Sequence, residues 1–117
     1  KARFGIVQTV ENIYWSMVDA CQAALMAAGR IPPSPEHIPD LIQETFVNNK
    51  LLDGKYVAWY NEVFNLAHNA LKGNIKTVSG IEIDKHIDRA TELEQTLRQI
   101  TMKLLENSKI IKFELKN

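Results

Sequence analysis

Apolar residues recur at steps of three and four along most of this 117-residue chain. That spacing lets an α-helix bury them on one side, and it suits no other regular structure. In residues 3 to 28 the stripe is Phe4, Val7, Val10, Tyr14, Met17, Cys21, Leu25 and Ala28. No proline interrupts it, and Gly5 is the one glycine before Gly29. At about 1.5 Å per residue this predicts a single helix of roughly 40 Å. Its end is rich in alanine, which favours helix and lets a neighbouring helix approach closely. Gly29 then suits the left-handed position that commonly closes a helix.

All four prolines fall between residues 32 and 39, as Pro32, Pro33, Pro35 and Pro39. No long helix persists through such a segment, so a stiff connector is expected. Ser34 and Pro35 read as N-cap and first helical residue of a second helix reaching about Val47. Its apolar face is Ile38, Leu41, Ile42 and Phe46. A third helix is predicted over 55–72, with Tyr56, Trp59, Tyr60, Val63, Phe64, Ala67 and Leu71 on a broad face and Gly73 at its end. A fourth is predicted over about 81–107, opened by the capping-box spacing of Ser79 and Glu82. Its stripe is Ile83, Ile87, Ala90, Leu93, Leu97, Ile100 and Leu104. In residues 111–116 apolar and charged residues alternate at period two, which is a strand pattern, so 108–117 is expected as an extended tail. The expectation is an all-α, up-and-down bundle of four to five helices forming one domain, with its core over about 5–107.

Composition narrows the function classes. Fourteen basic residues balance fourteen acidic ones, which argues against a domain held to nucleic acid by phosphate contacts or to a membrane by charge. Hydrophobic residues make up 45% of the chain, too many for a disordered segment. A chain of this size can build a core without disulfides or metals. The lone Cys21 cannot form an internal disulfide, which fits a reducing compartment. No apolar run reaches the ~18 residues of a membrane span. The expected location is the cytoplasm, with no membrane partner.

Few residues carry chemistry. His37, His68 and His86 show no metal-ligand spacing. His86, among Asp84, Asp88 and Arg89, reads as a solvated helix surface, and His37 as a surface residue of the connector. Cys21 lies on an apolar stripe, where a thiol is inert. Neither a metal nor a cofactor is expected. Asn65 and His68 stand at i and i+3, so they can serve one ligand from one face. The aromatic pairs Tyr14/Trp15 and Trp59/Tyr60 each point about 100° apart and cannot all enter one core; some belong at a surface or interface. The candidate ligand or partner surface is therefore Tyr14, Trp15, Trp59, Tyr60, Asn65 and His68. For self-association, α-helices one and three are the expected faces, because Ile6, Ile13 and Val18 lie off the main stripe of the first helix.

The run from Ile13 to Gly29, the connector Pro32–Ile42, the segment Tyr60–His68, and Lys72–Lys76 with Ser79 and Gly80 resemble HEPN domains. They are most similar to the prokaryotic branch associated with minimal nucleotidyltransferases. The resemblance extends over about residues 5–107. It implies a four- or five-helix bundle that is usually a homodimer. It also implies a role beside a nucleotidyltransferase, as a substrate-binding or toxin–antitoxin component. Many members of that family are metal-independent ribonucleases in which an Arg precedes a His by four to six intervening residues. Here positions 61–63 before His68 are Asn, Glu and Val, and positions 79–81 before His86 are Ser, Gly and Ile. Only Arg30 and His37 fit the count, and their spacer is the proline connector rather than a helix. The expectation is thus a non-catalytic HEPN-like module that dimerises and binds a nucleotide or a nucleotidyltransferase partner. A ribonuclease with a non-standard site and a purely structural helical adaptor are the alternatives, with nucleotide or RNA binding weakly supported.

Overall fold

A computed structural model describes residues 2–71 and 80–116, with side chains at 5, 7–70 and 82–108. The elements are α1 (Ala2–Ala27), a 3-10 turn (Pro35–His37) leading into α2 (Ile38–Ile42), a π turn (Gln43–Val47), α3 (Lys55–Leu71) and α4 (Gly80–Lys116). Every element among the described residues is helical. Gly29 closes α1 at φ 78°, the left-handed position expected of it. The Gly73 helix end and the Ser79 half of the capping box lie outside the described residues.

The long helices run up, down, up. Ser16 of α1 donates to Glu94 of α4 at 2.7 Å, and further along both helices Ala23 shares a groove with Thr101 and Met102. These two helices are therefore parallel, with residue n of α1 beside about n + 78 of α4. Between α3 and α4 the order reverses: Tyr56 donates to Glu92 at 2.8 Å while Glu62, later in α3, meets Arg89, earlier in α4.

The second helical segment spans Pro35–Val47 as expected, but as a 3-10 turn, one α-helical stretch and a π turn in place of one regular helix. Prolines 32, 33 and 35 hold the chain extended as far as Ser34 (φ −61°, ψ 157°). The Tyr60 hydroxyl donates to the Pro35 carbonyl at 2.8 Å, fixing the turn back into the helix. Arg30 then bonds Thr45 at 3.2 Å and Glu44 at 2.6 Å, so the end of this short helix returns to the end of α1. The alternation belongs to three long helices, and the α2 segment is a brace beside them. Ser34 occupies the N-cap position, but its hydroxyl donates to Glu36 at 2.8 Å instead of capping.

The expected extended tail is also corrected. Residues 108–116 continue α4, and the period-two pattern at 111–116 forms no strand. A strand leaves its backbone groups unpaired unless another strand lies beside it. Extending an existing helix satisfies each new amide within the segment and needs no fresh nucleus. By the register with α1, this part of α4 runs about three turns beyond Ala27.

The core joins all four segments. Val10, Met17, Cys21, Ala24 and Leu25 of α1 meet Ile38, Ile42 and Phe46 from the α2 segment, Tyr60, Val63 and Ala67 of α3, and Ile83, Ala90, Leu93 and Leu97 of α4. Val18, expected at an interface, is buried among them, and Ile13 packs against the core edge. Tyr60→Phe removes the donor to Pro35 and leaves that carbonyl without its partner. It is expected to lower unfolding free energy by about 1 kcal/mol, read by urea denaturation.

Candidate functional site

The six residues singled out from the sequence lie on both sides of α3. On the α1 side, Tyr14 and Tyr60 are buried, and both phenols have pKa values pushed up, chiefly by burial. Phe64 bridges them, 6.1 Å from Tyr14 and 6.3 Å from Tyr60 between ring centroids. The His68 imidazole is half-buried, edge-on to Phe64 at 4.0 Å and 6.1 Å from Tyr14. Trp15 packs edge-on to Tyr14 at 5.0 Å yet stays 54% exposed. Tyr14, Trp15, Tyr60 and His68 therefore form one aromatic patch with a wet edge at Trp15 and His68.

The α4 side holds Trp59 and Asn65. Trp59 lies between two cations: Lys55 and Arg89 each approach its ring centroid to 5.2 Å. Arg89 also pairs with Glu62, and Tyr56 packs edge-on to Trp59 at 5.2 Å. The Arg89–Trp59 contact and the Arg89–Glu62 pair clamp α3 to α4 here, while Lys55 lies over Trp59 within α3. Beyond the clamp a cleft of about 430 Å³ opens, lined by Glu62, Asn65, Leu66, Asn69, Glu82, Lys85 and His86. Asn65 thus faces polar company in the cleft, while His68 lies against aromatics on the other side. Their i, i+3 spacing puts them about 60° apart around α3, so one falls on the α4 side and the other on the α1 side.

His86 is where the sequence reading missed most. Its neighbours Asp84 and Asp88 suggest a wet surface, but its side chain is only 17% exposed. Nδ1 is buried without a hydrogen bond, 4.0 Å from Glu62 Oε2. Burial lowers its pKa; Glu62 pulls the other way, while Lys85 and Arg89 add to the lowering. Position 86 is one turn from Ile83 and Ala90 on the core stripe, which is the signal in the sequence. Because the folded state favours neutral imidazole, His86 contributes stability above the ordinary pKa near 6.5 and loses it as pH falls below that. Lowering pH from 7.5 to 5.5 is expected to reduce Tm more in the wild type than in His86→Gln, as paired thermal melts would read.

Chemically, the cleft presents the amides of Asn65 and Asn69 and the ammonium of Lys85 to a polar ligand, beside the imidazole of His86 and the carboxylate of Glu62, which is already paired with Arg89. The Cys21 thiol is buried, and desolvation pushes its pKa well up, so it is inert. Arg30 is held by Glu44 and Thr45, while His37 Nε2 lies 3.9 Å from Glu36 on the exposed connector. Among the described residues no three of His, Cys, Asp or Glu converge as a metal site requires. No described helix is long and apolar enough to cross a membrane. Comparison with family models, with curated proteins and with solved structures finds no match to this chain.

Proposed function

We propose that this chain is a non-catalytic, HEPN-like helical module of the cytoplasm. It dimerises and binds a nucleotide, or a nucleotidyltransferase partner, through surfaces that include Trp15, Trp59, Asn65 and His68. The observation that carries the non-catalytic part is the engagement of Arg30. Metal-free RNA cleavage needs a phosphate-binding cation and a proton-transferring imidazole at one phosphodiester. The only arginine at the family's spacing from a histidine spends its guanidinium on Glu44 and Thr45, bracing α2 to the end of α1. Support for the binding part comes from the polar cleft at Asn65 and from aromatic surface at Trp15 that the fold leaves exposed.

The test of the partner is affinity capture of the tagged chain from its own cells, with identification of co-eluting proteins. Recovery of a nucleotidyltransferase, weakened by Asn65→Ala or Trp15→Ala, is the expected result. Recovery of this chain alone would contradict a nucleotidyltransferase partner.

A further inference from the structure

We infer that the face formed by α1 and α4 is the seat of a second copy of this chain, related by a two-fold axis parallel to the two helices. The inference rests on the dimer of the reading above and adds the surface and its register. The face follows from the parallel packing of α1 and α4. A groove of about 410 Å³ runs between them, lined by Ser16, Asp19, Ala20, Ala23, Arg98, Thr101 and Met102. A smaller one of about 320 Å³ continues it past Asn12 and Thr91. Met102 is 62% and Leu105 49% exposed along the α4 rim, and Met26 is 64% exposed at the end of the α1 rim.

The two rims differ in size and in charge. At its centre α1 presents Ala20 and Ala23 with the carboxylate of Asp19. At the same height α4 presents Met102 and Leu105 with the guanidinium of Arg98. The offset of 78 residues between the helices puts Asp19 level with position 97, one residue from Arg98. A two-fold axis parallel to the helices preserves height and lays α1 of one copy over α4 of the other. Large side chains then meet alanines, and each Asp19 meets the Arg98 of the other copy, twice over. An antiparallel arrangement would bring Asp19 towards Asp19 and lose this match. Arg98 already pairs with Glu94 on its own helix, and its planar fork has donors for a second carboxylate. Isologous contacts need such self-complementarity, and here one chain supplies both halves. Val18, one of the residues that pointed to an α1 and α3 face, is spent in the core.

Sedimentation equilibrium on the full chain tests this through charge reversal. Asp19→Lys and Arg98→Glu each place two like-charge pairs in the homodimer. Each is expected to weaken dimerisation about tenfold or more. An equimolar mixture of the two variants restores both pairs in a heterodimer and is expected to recover wild-type association. So is the double variant D19K/R98E. Both positions are exposed, so each variant is expected to keep its helix content, a control read by circular dichroism. A dimer indifferent to both reversals, or a mixture that fails to recover, would overturn this face while leaving dimerisation itself standing. A monomeric wild type would overturn both.

Discussion

Phe46→Ala is expected to lower the unfolding free energy by about 3–5 kcal/mol, measured by urea denaturation. Phe46 is fully buried and is the largest side chain so enclosed among the described residues. It sits in the π turn Gln43–Val47, whose wider coil follows directly on α2. The Leu51 amide donates to the Phe46 carbonyl at 2.8 Å, so the backbone is held on its far side as well. Truncation leaves a void that the prolines of the connector and the Arg30 brace prevent from collapsing. A domain of this size has about 5–15 kcal/mol in total, so the variant should be close to unfolding at 37 °C. Trp15→Ala, at a half-exposed position, is the control and should shift stability far less.

Ala24→Leu is expected to destabilise by about 1–3 kcal/mol through overpacking, a loss visible in the same denaturation series. Ala24 has no exposed surface although its side chain is one carbon. The backbone of α1 must therefore lie close against its neighbours at that height. Three added carbons have no free volume and must push a neighbouring helix outward. Ala23→Leu, one position along and exposed, should be tolerated by the fold. If the α1 and α4 face holds a second copy, Ala23→Leu should instead weaken association.

Much of this architecture is legible in the residues themselves. The apolar stripes identify the buried positions of all four helices, including Val10, Met17 and Leu25 in α1 and Leu93 and Leu97 in α4. Gly29 marks the end of α1 through a conformation that only glycine adopts without strain. The C-terminal pattern misleads because alternation over six residues is a local signal, whereas the helix preceding it decides the backbone. The direction of α2 is hidden because it depends on two tertiary contacts, Arg30 to Glu44 and Tyr60 to Pro35. Val18 is misread because α1 has neighbours on two sides, α3 and α4, so its buried sector is wider than one stripe.

The candidate site is legible as residue types and less so as geometry. Asn65 and His68 share a helix face by spacing, and that is all spacing can say. Whether 60° keeps them together depends on where α1 and α4 meet α3, and here they fall on different sides. His86 escapes notice because its charged neighbours advertise water, while its own position one turn from Ile83 turns it inward against Glu62. The aromatic excess is read correctly as too large for one core: Tyr14 and Tyr60 go in, and Trp15 stays out.

We propose binding without cleavage for this helical module, and RNA cleavage is the activity that bears on it most closely. The direct measurement is cleavage of a fluorogenic RNA by the purified full chain at high concentration, with a chelator present. A rate equal to the protein-free blank is expected for the wild type and for His37→Ala and His68→Ala alike. Metal-free cleavage by the wild type that disappears in His68→Ala or His37→Ala would contradict it.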